Sequence, residues 1–531
     1  MKNFSINIFL IILGAAFTLC FAPFRYFAVG FLVFPVFFYF LLKSKNKKQA
    51  FWRGWLFGMG HHVSGLYWVA NSMLVEADKF AWMIPFAVLL LPAYLSIYIG
   101  ISSVLAYKTN LKFYSRIIYF AGVWCFAEIA RTFILTGFPW NLAGMSFIAK
   151  PELASFASII GVYGLSFFAV LFFTTPYLIY ENLQNAKNGN PAKLGVTLTY
   201  FAPILAFLIF SGVWGQQRFS DAVTQTKLRI VQPSIPQGER LNSKQLDSQI
   251  IKYQNLSVQP SLKPNFGKPE IIIWPEAALP VYFAAQPDFV NNYLRYIIEK
   301  NQFLLLGTVR LELEGKKLLK SYNSLEAIEG KVGLLPEYYD KTHLVPFGEY
   351  IPLRSVFPQV NAIAQGLGDF DNGIGNKTLK IADTPPFITL ICYEIVYSNR
   401  VAGAEIQNLK TKPEWILNIT NDAWFGNSTG PQQHLDISRM RAIESGLPVI
   451  RAANNGISAV IDSYGRILET IKYDEISVID DYLPKPAKEF ASGGTFYSQY
   501  GLKFTVLLIF GILAFVIIRA RIREKLKSVI R

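Results

Sequence analysis

The sequence predicts a multi-span α-helical membrane protein carrying an inserted α/β domain, and three observations predict it. Charged residues make up 16% of the 531 positions, against about 25% in soluble domains, and mean hydropathy is +0.30. Long apolar runs fill the chain up to residue 215 and recur once near the C-terminus. Between them, residues 225 to 485 switch to short apolar strands alternating with amphipathic helices, the pattern of a layered α/β domain. The boundaries this implies are 1–220 for a transmembrane bundle of seven helices, 221–490 for the α/β domain, and 491–531 for an eighth helix with a basic tail.

Taken in order, Phe4 to Phe21 is apolar behind a lysine, but no clean small-residue cleavage site follows, so it reads as a first membrane helix rather than a signal peptide. Further spans fall near Tyr26–Leu42, Phe51–Met73, Ala81–Tyr107, Arg116–Thr136, Leu153–Tyr180 and Val196–Gly215, each near or above the roughly 20 residues that cross a bilayer. Phe51–Met73 carries Arg53, His61 and His62. Such groups are costly in lipid and should face other helices or an interface; a functional role for the His pair is open, and a structural one is favoured. Trp140, in the loop Gly137-Phe138-Pro139-Trp140-Asn141, reads as an interfacial aromatic anchor.

Charge supplies the orientation. The net charge is +15, which in a soluble protein would suggest nucleic acid. Here the cations sit in the loops Lys43–Lys48 and Lys108–Arg116, at Lys187 and Lys193, and in the tail Arg519–Arg531, so topology accounts for them without a nucleic-acid partner. Basic loops stay cytoplasmic. That puts both termini inside, the α/β domain outside, and the last apolar run, Phe504 to Ile518, as the return span.

Within the domain, strands are expected at Lys227–Gln232, Glu270–Pro275, Phe303–Arg310, Asn323–Ile328, Phe387–Cys392, Trp415–Thr420 and Val449–Ala453, with helices at Ser243–Leu256, Pro287–Lys300, Ile395–Leu409 and Pro431–Ser445. Pro352 to Asp383 is rich in Gly and Asn without periodicity and reads as a long lid or binding loop. There is no zinc-type Cys/His spacing and no phosphate-binding Gly-rich loop, so no metal or organic cofactor is expected.

Three cysteines exist, and Cys392 alone lies in the polar part of the chain. It ends an apolar strand before an expected helix, where a helix dipole would favour thiolate, the nucleophilic form. The competing reading is a small buried hydrophobe. Two stretches favour chemistry. Ile273-Trp274-Pro275-Glu276 places an acid at a strand end, and Tyr339-Asp340-Lys341 runs into His343-Leu344-Val345-Pro346-Phe347-Gly348-Glu349-Tyr350-Ile351-Pro352. With Cys392-Tyr393-Glu394 these resemble the Glu-Lys-Cys triad of the nitrilase superfamily.

Asn421-Asp422-Ala423-Trp424-Phe425-Gly426, Gly430-Pro431-Gln432-Gln433-His434, Arg439–Glu444 and Arg451–Gly456 narrow the resemblance to the bacterial apolipoprotein N-acyltransferase family, as does the order of seven spans, domain, span. Ala277, where relatives often carry Ser or Thr, is the one departure. The resemblance implies a nitrilase-like α-β-β-α sandwich on the periplasmic side of the inner membrane. It implies Glu276 as acid/base, Lys341 as charge stabiliser and Cys392 as nucleophile, with Glu349, Tyr393, Glu394 and Trp424 supporting. Glu394 as a helix cap, and Tyr393 and Trp424 as core packing, stay open beside those roles; His434 reads as structural and Asp340 as a neighbour. The implied reaction moves an acyl chain from a phospholipid, phosphatidylethanolamine in the family, through a cysteine thioester to the α-amine of a diacylglyceryl apolipoprotein. Two other readings stand beside it: a membrane-tethered amidase with water as acceptor, and a lipid-binding scaffold without catalysis.

Overall fold

The computed structural model describes every residue except 1, 76, 108, 110, 112–113, 188–200, 241–244, 279–292, 295–296, 316, 353, 356–368 and 531. The chain divides into two compact units, Met1–Phe219 with Tyr500–Arg531, and Ser220–Gln499.

The first unit is helical. Its main helices are Lys2–Phe17, Gly30–Leu42, Lys47–Leu66, Ile84–Tyr107, Tyr114–Phe133, Ala157–Thr174 and Ala202–Arg218, followed by Phe496–Ile530, which breaks at Gly501. Among the described residues, four helical stretches are long and apolar enough to cross a membrane: Ala81–Tyr107, Tyr114–Thr136, Ala157–Lys187 and Phe496–Leu526. Phe4–Cys20 and Phe27–Leu42 are apolar but shorter. The start of the expected Val196–Gly215 span, with Lys193, lies outside the described residues.

Lys47–Leu66 survives its polar load by turning it inward. Arg53, His61 and His62 are all buried. Arg53 donates to the Phe40 carbonyl and to Ser44 Oγ; His61 Nε2 lies 3.4 Å from the Asn141 carbonyl and His62 Nδ1 3.3 Å from Ser96 Oγ. Small residues let the backbones meet: a Cβ on Gly14 would fall 1.9 Å from the Phe57 carbonyl, and one on Gly60 would fall 1.8 Å from that of Ile11. Trp140 corrects the sequence reading. It is not an interfacial anchor but a core residue, 1% exposed, with its ring centroid 4.9 Å from that of Trp68. Its loop is drawn in because Arg131 donates to the Asn141 carbonyl and the Asn141 amide donates to that of Gly65.

Among its described residues the second unit contains twelve strands: β1 Val223–Gln232, β2 Ile271–Ile273, β3 Phe303–Glu314, β4 Lys317–Glu329, β5 Gly333–Asp340, β6 Thr378–Leu379, β7 Phe387–Ile391, β8 Trp415–Thr420, β9 Val449–Ala453, β10 Ser458–Ile461, β11 Ile467–Ile471 and β12 Ser477–Pro484. They form two six-stranded sheets, β12-β1-β2-β3-β4-β5 and β11-β10-β9-β8-β7-β6. Each is parallel at its centre, β1-β2-β3 in one and β7-β8-β9 in the other, and antiparallel outside it.

Strand alternation decides the layers. Ile271, Ile273 and Leu305 of the first sheet share one core with Phe387, Ile391, Leu417, Ile419 and Ile450 of the second. Ile272, Trp274 and Leu304 point the other way, onto Leu246, Ile250 and Tyr253 of the helix Leu246–Val258. Beyond the second sheet the buried helix Gly430–Ser445 covers the polar side chains of β8 and β9, with Ser438 Oγ donating to Asn418 Oδ1 and Arg451 Nη1 donating to Ser438 Oγ. The unit is an α-β-β-α sandwich. Each fully buried aliphatic side chain between the sheets contributes roughly 1.5–3 kcal/mol of transfer free energy.

Most of the expected helix Pro287–Lys300, the start of Ser243–Leu256 and the middle of the Pro352–Asp383 loop lie outside the described residues. The described end of that loop is tied to the sheet: Phe370 N donates to the Glu349 carbonyl, Asp371 N to that of Ser321 and Gly373 N to that of Lys341.

Candidate active site

The three stretches singled out in the sequence end on neighbouring strands. Glu276 follows β2, where the chain must turn away from the sheet. That turn is crossed closely by β3: a Cβ on Gly307 would lie 2.4 Å from the Pro275 carbonyl and 2.6 Å from Glu276 Cα. Ala278 N donates to the Gly307 carbonyl at 2.8 Å. Ala277 sits at φ 46°, a left-handed conformation unusual for a residue with a Cβ.

Lys341 leaves β5 beside β4, its N–H donating to the Asn323 carbonyl at 2.8 Å. Asp340 just before it is gripped by Arg310, whose Nε and Nη2 donate at 2.9 and 2.6 Å. The Arg310 guanidinium is 4.5 Å from the ring centroids of both Tyr322 and Tyr338. Asp340 is therefore a clamp that fixes where Lys341 starts. The loop beyond folds back so that Glu349 Oε2 accepts from Val345 N at 2.8 Å.

These elements bring the charged groups together. Lys341 Nζ donates to Glu349 Oε1 at 2.9 Å and lies 3.4 Å from Glu276 Oε1. Asn323 Nδ2 bridges the two acids, donating to Glu276 Oε1 at 2.7 Å and to Glu349 Oε1 at 2.8 Å. All four side chains are buried. Burial alone would pull the Lys341 ammonium down; the Glu349 and Glu276 carboxylates outweigh it and hold the group above the ordinary lysine range.

Cys392 completes the set from the second sheet. It follows β7 at φ 50°, a strained elbow of the kind that clusters at functional sites. Its sulfur feels the charges of Glu276, Lys341 and Asp422. Burial pushes the thiol up, the Glu276 charge adds to that, and Lys341 offsets only part of it. The surroundings thus favour the thiol over the thiolate that a helix dipole would favour. The expected helix Ile395–Leu409 is also absent: 3-10 turns at Cys392–Val396 and Ser398–Val401 and one short helix, Ala404–Gln407, take its place. β-Branched Ile395 and Val396 resist a helix. Ser398 Oγ donates to Glu444 instead of capping a helix, and Tyr397 and Ala402 are extended.

Glu394 is fully buried and tied to both sheets. Its carboxylate accepts from Tyr339 Oη, Thr342 N, Thr342 Oγ1 and His343 N beside Lys341, from Ile391 N beside Cys392, and from Arg400 Nη2. This one acid fastens the lysine loop to the cysteine elbow. The Tyr393 ring packs edge-on to Tyr397, 5.3 Å between centroids, and 6.0 Å from His343. Trp424 is half-buried in the turn Asp422–Phe425 that follows β8.

Residues 13–174 match the family model described as apolipoprotein N-acyltransferase N-terminal domain, and residues 227–481 match that of carbon-nitrogen hydrolase. The apolipoprotein N-acyltransferase of Rhodopseudomonas palustris is 34% identical over 96% of this chain and 94% of its own. The chain belongs to the apolipoprotein N-acyltransferase family. The Brucella melitensis member is 36% identical over 90% of this chain and 89% of its own. A nitrilase-superfamily amidase from Nesterenkonia AN1, a solved structure, covers 50% of this chain and 92% of its own at 17% identity and TM-score 0.36.

Family membership makes this an enzyme of a bacterial membrane, an acyltransferase within the carbon-nitrogen hydrolase group. The hydrolase match contains Glu276, Lys341 and Cys392, all in the second unit. Asn323, the bridge between the acids, escaped the sequence reading. It opens the expected strand Asn323–Ile328, and only the longer β4 sets it mid-strand, where a buried polar side chain needs partners.

Proposed function

We propose that this chain transfers an acyl chain from a phospholipid to the α-amine of an apolipoprotein's N-terminal diacylglyceryl-cysteine, through a thioester on Cys392. What carries the reading is the buried convergence of Glu276, Lys341 and Cys392, in a chain matching named acyltransferases over nearly its whole length.

The steps follow from the charges. Glu276 takes the Cys392 proton as sulfur attacks the ester carbonyl. The tetrahedral oxyanion is met by the Lys341 ammonium and by the Tyr393 backbone N–H. Collapse breaks the ester C–O bond; the departing lysophospholipid oxygen takes the proton back from Glu276, leaving the thioester. The lipoprotein amine then attacks that carbonyl, its proton passing through Glu276 to the sulfur as the C–S bond breaks. The products are an amide and the resting thiol. Because burial raises the Cys392 thiol, Glu276 acts within the attack itself rather than after a pre-formed thiolate. Glu349 holds the lysine, and Glu394 holds the two loops in register.

Both substrates carry acyl chains, so the reaction belongs at a bilayer surface. The proposal includes phosphatidylethanolamine as donor, a seven-helix bundle up to about residue 220, an eighth helix after about residue 490, the catalytic domain on the periplasmic side and both termini in the cytoplasm. Basic loops support that orientation.

The test is mass spectrometry of the purified enzyme after exposure to phospholipid alone. An acyl adduct on the Cys392 peptide, discharged by a diacylglyceryl peptide but not by water, is expected. Discharge by water alone makes the enzyme an amidase-type hydrolase. Normal N-acylation by Cys392→Ala overturns the thioester route.

A further inference from the structure

Thr420 ends β8, and the register of the second sheet sets it beside Cys392. β7 and β8 run parallel with Leu390 opposite Asn418 and Ile391 opposite Ile419, so the two residues leave adjacent strand ends together. From there the Thr420 hydroxyl bears on the Cys392 thiol, favouring its anionic form. It is fully buried, and its Oγ1 also donates to Asp422 Oδ1 at 3.0 Å.

Asp422 is not free to move. Arg451 Nη2 donates to its Oδ2 at 2.6 Å, and His434 Nδ1 lies 3.0 Å from Oδ1. Arg451 is itself anchored from β9, its Nε donating to the Ile457 carbonyl at 3.1 Å and Nη1 donating to Asn418 Oδ1. His434, on the covering helix, also lies 3.1 Å through Nδ1 from Arg451 Nη2. A carboxylate held by Arg451 and His434 therefore stands behind the threonine.

A threonine hydroxyl has one hydrogen and can accept as well as donate. With the thiol protonated, S–H can donate to Thr420 Oγ1, while the Thr420 hydrogen goes to Asp422. Once the thiol proton has passed to Glu276, the sulfur can only accept.

We propose that Thr420 is a further catalytic residue, a two-position donor whose hydroxyl turns from Asp422 Oδ1 to Sγ of Cys392 as the sulfur becomes anionic. Thr420 keeps its own proton throughout; only its acceptor changes. When the C–S bond forms, the sulfur gives up its charge and the hydroxyl returns to Asp422. The same turn serves the second half-reaction, when sulfur leaves the thioester.

The idea rests on Cys392 being the acylated nucleophile. Its test separates the two claims because residue 420 is uncharged: replacing it leaves Glu276, Lys341, Asp422 and His434, the titratable groups facing the sulfur, in place. The purified full chain in detergent is alkylated with iodoacetamide across pH, and thioester formation from phospholipid is timed by mass spectrometry. Thr420→Val should move the alkylation midpoint up by about one pH unit or more, as loss of a hydrogen bond to a charged group implies. It should slow thioester formation about tenfold or more. Thr420→Ser, which keeps the hydroxyl, should stay within about twofold of wild type in both. Thr420→Ala takes valine's place if valine prevents folding. An unchanged midpoint in a folded variant lacking the hydroxyl overturns the switch. A shifted midpoint in a wild-type background that forms no thioester overturns the acyl-transfer reading and leaves the switch standing.

Discussion

Nζ of Lys341 lies 2.9 Å from Oε1 of Glu349, with side-chain exposures of 1% and 7%. The lysine is thus paired before any substrate arrives, and its closer partner is not the proposed base. Glu349→Gln leaves Glu276 as the lysine's remaining carboxylate and draws the ammonium onto it. Thioester formation should fall on the order of 10²-fold, the lower range for general acid–base catalysis. Single-turnover mass spectrometry reads this directly, and a rate within twofold of wild type would show that Glu349 does not govern Lys341.

Two substitutions should move the Cys392 titration in opposite directions. The Glu276 charge raises the thiol and the Lys341 charge lowers it. Lys341→Met should push the alkylation midpoint higher, whereas Glu276→Gln should bring it down while abolishing thioester formation. Midpoints that shift the same way would contradict the electrostatic arrangement.

Gly307→Ala tests the crossing beneath Glu276. The new methyl would press on the Pro275 carbonyl and Glu276 Cα, so the turn must give way. A misplacement of about 1 Å costs roughly 10² in rate. Thioester formation should drop by that order while iodoacetamide still reaches Cys392. Full activity would mean the turn tolerates the shift.

Glu394→Gln should act on stability first. Among the described residues Arg400 would keep Glu405 alone as an ionic partner, and the Tyr339, Thr342, His343 and Ile391 donors would face a weaker acceptor. Breaking a buried ion pair typically costs roughly 3–5 kcal/mol. Thermal unfolding in detergent should show a clear loss, and an unchanged midpoint would remove Glu394 as the fastener.

Glu326 on β4 supplies a pH dependence away from the site. Burial pushes its carboxyl up to about 7, with Arg310 opposing and Asp340 adding. An unfolded Glu titrates near about 4.3. Because the folded value is the higher, the folded state holds the proton more tightly; this contribution is full below the unfolded value and is lost as pH rises to about 7. Glu326→Gln should flatten the fall in unfolding temperature across that window, and identical pH profiles would dismiss the effect.

Trp415–Thr420 and Val449–Ala453 were legible to the residue because buried parallel strands are mainly apolar runs, here interrupted only by Asn418 and Arg451. Two of the strands missed, β11 and β5, are of another kind. β11 is exposed along most of its length, and β5 alternates between buried and exposed positions with a Pro inside it; partners across the sheet, not local pattern, hold them. Glu276 and Cys392 stood out because each is a reactive group ending an apolar run, whereas Lys341 follows the polar Glu337 and Asp340 and entered through the motif around it. Asn323 and Thr420 did not stand out, since their importance lies in what stands opposite them on the next strand. The thiol's protonation went astray for a related reason: a helix predicted after Cys392 dissolved into turns whose polar side chains bind other elements.

The elbow at Cys392 ties the reactive sulfur to a strand of fixed length. Phe387 and Ile391 seat in the core between the sheets, opposite Trp415 and Ile419. Adding one residue within β7 would turn Ile391 to the opposite face and swing the sulfur with it. Adding two would restore the facing but carry the sulfur roughly 6.6 Å further along, at 3.3 Å per residue. The strand works like a screw thread: one count of residues sets the aim of the nucleophile and its depth together, and neither can be adjusted without the other.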